Sequence, residues 1–291
     1  MTLKNPVLVK SPYCKTGYAC FFYCREKFFL EISVKVCYNK FMRLNKFLAT
    51  CGVASRRKCD EIIASGKVSI NGKAVTELGL VINEKKDKVE YEGKILSLPK
   101  DFVYIKLNKP KGFMCTQSDD RQRKTIFDLV KIPNVRLFNV GRLDYDTEGL
   151  ILLTNDGDFA EKLIHPSFEI EKEYYCTIEG EIKESELAVL RKGVVINGER
   201  LPGARVKVLS VGEEPSSKRH KDGKTRKRTK LSVTITQGLN RQIRRSFEAI
   251  GKDIILLKRV RIGDIKLGGL SRGQFKELTD KEKLCIDSYI I

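Results

Sequence analysis

The chain has 291 residues, with 56 Lys and Arg against 37 Asp and Glu, a formal net charge of +19. An apolar share of 41% suffices for a buried core, which excludes wholesale disorder, and the length fits one large or two modest domains. The cation excess points to a polyanionic partner, because Lys and Arg gain affinity by displacing the counterions of phosphates.

Residues 1–41 carry nine of the 24 aromatics and show no sustained period of 2 or 3.6. They read as an N-terminal extension, disordered or from a misassigned start, rather than an acid-poor transit segment. The apolar stretch 19–24 is stopped by Arg25, and no run approaches the roughly 20 residues that span a bilayer. Nine Cys without a Cys-x-x-Cys pair, and without a secretion signal, fit the reduced thiols of a cytoplasmic protein better than disulfides or a zinc site.

Residues 42–100 read as a small unit. Leu44, Phe47 and Leu48 fall at helical spacing. Ser55 is placed to cap a second helix whose apolar face is Cys59, Ile62 and Ile63 and which Gly66 ends. The alternating stretch 68–70, the pair Asn71-Gly72 and residues 74–75 predict a hairpin. Arg56, Arg57 and Lys58 open the second helix, where cations oppose the helix dipole at a few tenths of a kcal/mol each. They form either a solvated face or a grip on backbone phosphates.

Residues 101–291 read as a larger α+β domain. Val103, Ile105 and Leu107 alternate as a strand, and 150–153 is a continuous apolar run suited to a strand buried on both faces. A turn at 155–157 follows, with Asp158 placed to cap the next helix. Strands are expected over 174–178, 231–236 and 254–257, and helices over 184–192 and 241–250, ended by Gly193 and Gly251. Asn197-Gly198 predicts another hairpin. Residues 216–230 hold eight Lys and Arg and one acid, which predicts an exposed basic loop reaching toward RNA. Strands and helices without strict alternation argue for α+β.

The familiar phosphate-loop, dinucleotide and nucleophile-elbow signatures are missing. His165 and His220 are too few for a zinc site, and His165-Pro166 reads as a helix-end cap. What remains is the run 141–149, Gly-Arg-Leu-Asp-Tyr-Asp-Thr-Glu-Gly, just ahead of the buried strand. A carboxylate there can act as nucleophile or base, but Asp144, Asp146 and Glu148 are equal rivals on these grounds, and all three could be loop acids making local turn bonds.

The longer run 141–157, Gly-Arg-Leu-Asp-x-x-Thr-x-Gly-Leu-Ile-Leu-Leu-Thr-Asn-Asp-Gly, resembles the core signature of the RsuA/RluB family of RNA pseudouridine synthases. Asn108-Lys109-Pro110-Lys111-Gly112, Glu171-Lys172-Glu173-Tyr174 and Gly238-Leu239-Asn240-Arg241-Gln242-Ile243-Arg244-Arg245 resemble three further motifs, in family order. Residues 43–90 resemble the S4-type (αL) RNA-binding domain that such enzymes carry, and the likeness spans about 42–280. Ser246 stands where the family has an apolar residue, and the basic stretch 216–230 is longer than its norm.

The resemblance implies an S4-type domain followed by a mixed-sheet synthase domain. It makes Asp144 the catalytic aspartate, Tyr174 the ring that stacks on a flipped-out uracil, and Arg244 the ion-pair partner that orients Asp144. The glycosidic bond is cleaved and the base rejoins ribose through carbon, a redox-neutral isomerisation that needs no cofactor and no metal. Arg43, Lys46, Arg56, Arg57 and Lys58 would hold RNA in the small domain. Lys109, Lys111, Arg142, Asn240, Arg241, Gln242 and Arg245 would do so in the large one. Residues 123–128 and 261–265 resemble the RluB type, which implies 23S rRNA, free or in an assembling subunit, as the partner of a monomer. The 16S-directed RsuA type and a non-catalytic ribosome-assembly factor are the alternatives, and a glycosidase using the same Asp is a third.

Overall fold

The computed structural model describes residues 41–215 and 225–287. The expectations for 1–40 and for the first nine residues of the basic run, 216–224, lie outside them. From Phe41 onward the chain forms one contact unit.

Its first part is β1 (Phe41–Arg43), α1 (Leu44–Thr50), α2 (Arg56–Ala64), β2 (Val68–Ile70), β3 (Lys73–Val75), β4 (Val81–Asn83), β5 (Val89–Tyr91) and β6 (Lys94–Ile95). The expected apolar faces close on one another: Leu44, Phe47 and Leu48 of α1 meet Cys59 and Ile63 of α2 over Val68, Ile82 and Val89. Each large apolar side chain buried there contributes about 1.5–3 kcal/mol. Ser55 caps α2, its Oγ accepting from Lys58 N at 3.3 Å. Asn71 and Gly72 have φ of +52° and +80°, the left-handed pair of a tight hairpin turn between β2 and β3.

The second part adds β7 (Tyr104–Lys109), β8 (Phe138–Val140), β9 (Glu148–Thr154), α3 (Gly157–Ile164), β10 (Lys172–Glu179), α4 (Glu184–Lys192), β11 (Gly193–Ile196), β12 (Glu199–Pro202), β13 (Arg205–Pro215), β14 (Thr225–Ile235), α5 (Gln242–Glu248), β15 (Ile254–Ile262), β16 (Ile265–Lys266), β17 (Phe275–Glu277) and α6 (Asp280–Asp287). Its sheet runs β13-β14-β10-β15-β9-β7-β17, with β8 on β9 and β16 on β15. It is mixed, since β9 and β15 are parallel and the other pairs antiparallel.

Strand β9 is buried along its whole length, as its apolar run implies. Ile151 and Leu153 face one core with Leu187 and Leu190 of α4 and Ile243 and Phe247 of α5. Leu150 and Leu152 face a second core with Phe159 and Leu163 of α3 and Ile286 of α6. Ser246 is half-buried while Ile243 and Phe247 beside it are buried, so α5 packs without an apolar residue at 246.

Two expectations need correction. Asp156, not Asp158, caps α3, accepting from the amides of Asp158 and Phe159 at 3.0 and 3.1 Å. Its side chain sits at the non-helical cap position, whereas Asp158 is already in the first turn. Nor is the basic run a loop throughout. Thr225 to Lys230 continue β14, paired with β13, because Glu179 and Glu181 receive Arg226 and Lys227 at 2.8 and 2.9 Å. His165, as expected, caps a helical turn, Nδ1 accepting from Ser167 N at 3.3 Å.

Candidate active site

The loop 141–147 joins β8 to β9. It has little regular structure of its own, so side chains from elsewhere hold its carbonyls. Lys109, the last residue of β7, is fully buried. Its Nζ donates to the carbonyls of Asp144 (2.9 Å), Thr147 (2.8 Å), Pro110 (3.2 Å) and Tyr145 (3.4 Å). Burial pushes this ammonium below its ordinary pKa, while Cys115 and the acids Asp146, Asp144 and Glu148 pull it back up. Gly112 N donates to the Tyr145 carbonyl at 2.9 Å, and Leu143 N to Cys115 Sγ at 3.4 Å.

Gly149 anchors the far end of the loop. Its φ is +104°, and a Cβ there would sit 2.1 Å from the Arg259 carbonyl oxygen across the parallel β9–β15 pair. Only glycine permits that approach.

The loop borders a cleft of about 930 Å3 between itself, the start of β10 and the N-terminal end of α5. Asp144, Arg142, Tyr174, Arg244, Lys172 and Arg259 are on its wall. Asp144 thus separates from its two rivals. Glu148 is buried with its carboxylate 3.1 Å from Arg272. Asp146 turns toward α5, where Arg244 Nη2 reaches its Oδ2 at 3.0 Å and its carbonyl at 3.3 Å, and Arg241 Nη1 lies 3.8 Å from Oδ1. Among the described residues Asp144 has no ion pair.

The expected Arg244–Asp144 pair is therefore corrected to Arg244–Asp146. Both cations at the start of α5 converge on the carboxylate facing that helix, and Asp144 faces the cleft.

Tyr174 is 7% exposed: most of it packs in the core, and the remainder borders the cleft. Its hydroxyl accepts from Arg259 Nη1 at 3.4 Å. Arg259, itself buried, also donates from Nε to the Leu150 carbonyl at 2.7 Å. Two buried guanidinium nitrogens by the cleft, Arg244 Nε and Arg259 Nη2, have no acceptor among the described residues. Unpaired buried donors are costly, so a ligand that supplies carbonyl or phosphate oxygens gains there.

Arg259 and Lys172 were absent from the sequence-based candidates. Strand alternation could have found them: Lys172 shares a face with Tyr174, and Arg259 shares one with the buried Leu257. Lys172 donates to the Thr236 carbonyl at 2.8 Å, and burial, with Arg259 nearby, lowers its pKa to about 8.

The expected RNA contacts divide. Arg142, Asn240 and Arg241 are exposed on the cleft. Lys111 is exposed, with Nζ 3.4 Å from the Ile255 carbonyl. Arg245 is tied to Glu199 at 2.6 Å. Arg43, Arg56, Arg57 and Lys58 are exposed in the first part, Lys58 beside Glu61 at 2.5 Å, and Lys46 pairs with Asp158. Two expectations fail on burial. Lys109 is enclosed by loop carbonyls, and Gln242 is 4% exposed, its amide holding Leu239 N (3.3 Å) and the Pro202 carbonyl (3.4 Å).

Among the described residues no helix is long and apolar enough to cross a membrane.

Residues 103–249 match the family model described as RNA pseudouridylate synthase, and residues 42–87 match the S4 domain model. The chain is 41% identical over 240 residues to "Ribosomal large subunit pseudouridine synthase B" of Bacillus subtilis (strain 168), covering 82% of this chain and 93% of that one. A protein of the same name from Salmonella typhi is 38% identical over 242 residues, covering 81% and 79%. The solved structure "Crystal structure of pseudouridylate synthase" superposes with a TM-score of 0.57 at 30% identity, covering 84% of this chain and 99% of that one. With an S4 domain preceding a mixed-sheet synthase domain whose cleft carries a loop acid and cations of α5, the chain belongs to the RsuA/RluB family of RNA pseudouridine synthases.

Proposed function

We propose that this enzyme converts one uridine of large-subunit 23S rRNA to pseudouridine, with Asp144 as the catalytic carboxylate. The observation that carries this reading is the placement of Asp144, alone of the three loop acids, on a cleft shared with Tyr174 and Arg244. Relatives named for the ribosomal large subunit support the choice of rRNA.

The target base leaves its helix at an unstacking cost of a few kcal/mol. Tyr174 borders the space that receives it, and the unpaired donors of Arg244 and Arg259 suit its carbonyls or the flanking phosphate. Asp144 starts cleavage of the bond from ribose C1′ to N1. The uracil turns within the cleft, C1′ bonds to C5, and the C5 proton is lost as N1 is protonated. Residues 42–100 act as the RNA-holding domain and 101–291 as the catalytic one.

The test is to map pseudouridine in 16S and 23S rRNA from a strain lacking the gene and from one carrying Asp144→Asn. The expected result is one missing 23S site in both. A missing 16S site would reassign the substrate, and wild-type modification with Asp144→Asn would remove Asp144 from its role.

A further inference from the structure

Strand β10 carries consecutive tyrosines that point to opposite faces of the sheet. Tyr174 is 7% exposed on the side of α4 and α5, and Tyr175 is 48% exposed on the other side. On that other side α3 and α6 pack over β7, β8, β9, β16 and the end of β15. No residue of β10, β13 or β14 belongs to the second core. Among the described residues, no helix of the second core reaches this half of the sheet, where Lys207 and Tyr175 are exposed while the shorter Thr177, Ser232 and Thr234 are buried.

The registers across this half place specific residues side by side. Lys207 of β13, Ser232 of β14, Tyr175 of β10 and Lys258 of β15 form one row. At about 4.8 Å per strand the row is roughly 14 Å long. The row on one side is Arg205, Thr234, Glu173 and Arg261; on the other it is Ser210, Lys230, Thr177 and Leu256. The acids nearby are already neutralised. Glu171 and Glu173 are held by Arg205 and Arg261 at 2.9 Å, and Glu179 meets Arg226 at 2.8 Å. Lys207 and Lys258 form no ion pair among the described residues. A half-exposed aromatic ring thus lies between lysines with no acid of their own.

We propose that this face is a second RNA-contact surface, on which an unpaired base stacks on Tyr175 while Lys207 and Lys258 meet the adjoining phosphates. The chemistry favours RNA over a protein partner. The face is basic and polar around one ring, and a four-stranded antiparallel surface presenting aromatics to unpaired bases is an established way to hold single strands. The partner's identity as RNA rests on the reading of the cleft. The surface itself is separate from the cleft and would hold a flanking strand of the substrate.

The experiment compares the full-length wild type, Tyr175→Ala, Tyr175→Phe and the double variant Lys207→Glu/Lys258→Glu, using full-length 23S and 16S rRNA transcripts and a 12-residue oligouridylate as probes. Tyr175→Ala is expected to weaken binding at least about fivefold, and Tyr175→Phe to restore it. The double variant is expected to lower the salt slope by about 1.4, two single-strand phosphate contacts. Pseudouridine formation at saturating rRNA is expected to keep its wild-type kcat. Wild-type affinities and salt slopes for both Tyr175→Ala and the double variant, with unchanged melting temperatures, would overturn the proposal. If Tyr175→Ala does not fold, the double variant decides alone, since both lysines are on the surface. A wild type that binds RNA but makes no pseudouridine would defeat the reading of the cleft and leave the binding result standing.

Discussion

The Lys109 ammonium lies 2.9 Å from the carbonyl oxygen of Asp144, so a buried charge at the end of β7 fixes the backbone of the residue that faces the cleft. This lysine contacts four carbonyls and is shielded from any RNA phosphate. Lys109→Met should remove about 2–4 kcal/mol of stability, since it leaves buried acceptors unmet. Activity should fall steeply while RNA affinity stays close to wild type. Urea unfolding and a filter-binding titration check the two halves. A selective loss of affinity would instead make Lys109 an RNA contact.

The loop acids should differ sharply. Asp144→Asn is expected to lower single-turnover pseudouridine formation by about a hundredfold or more. Asp146→Asn removes the carboxylate that holds Arg244 but leaves the residue on the cleft wall intact, so a loss below about tenfold is expected. Equal losses would mean that the Arg244–Asp146 pair is as necessary as the acid itself.

Gly149→Ala should destabilise the fold by about 3 kcal/mol or more. The added methyl meets the Arg259 carbonyl across the strand pair, at a φ of +104° that alanine disfavours. The shift in urea midpoint reads this directly, and a midpoint unchanged from wild type would contradict the close approach of β9 and β15.

Lys172 supplies a pH dependence. Its pKa is about 8 in the folded chain against an ordinary 10.5, because burial disfavours its charge. Between those values the unfolded chain holds a proton that the native chain has released, so stability from this group rises with pH from about 8 to 10.5. On the cleft the same loss of charge weakens attraction for phosphate, so RNA affinity should step down between pH 7 and 9. Lys172→Gln should flatten both profiles, and a step that survives in this variant would assign it to another group.

In the small domain, replacing Arg56, Arg57 and Lys58 with glutamate should lower the salt slope of duplex RNA binding by up to about 2.7, at roughly 0.9 per lost phosphate contact. These residues occupy the exposed first turn of α2. A slope equal to wild type would leave them as a solvated face.

What was legible in the sequence was local or periodic. The Ser55 cap, the Asn71-Gly72 turn and the all-apolar interior of β9 each follow from a few adjacent residues. The site was legible in which residues it uses but not in how they pair. Arg244 and Asp146 are 98 positions apart, and Lys109 and Asp144 are 35 apart. Nothing in a linear pattern tells a cation that meets phosphate from one that is enclosed by carbonyls. That distinction depends on burial, which the sheet order decides. The strand at 225–230 was missed for a similar reason: its charges are matched by Glu179 and Glu181 on a distant stretch of chain.

The parallel contact of Gly149 with Arg259 also bears on when the enzyme becomes active during synthesis. Strands β9 and β15 are neighbours in the sheet but are made more than a hundred residues apart, and pairings of such long range form late. A chain still emerging from the ribosome holds Asp144 well before it has β15 to close the wall behind it. Catalytic competence is therefore expected only once β15 has been made, and a nascent chain stalled before it that already displays its S4 domain is expected to dock on RNA without modifying it.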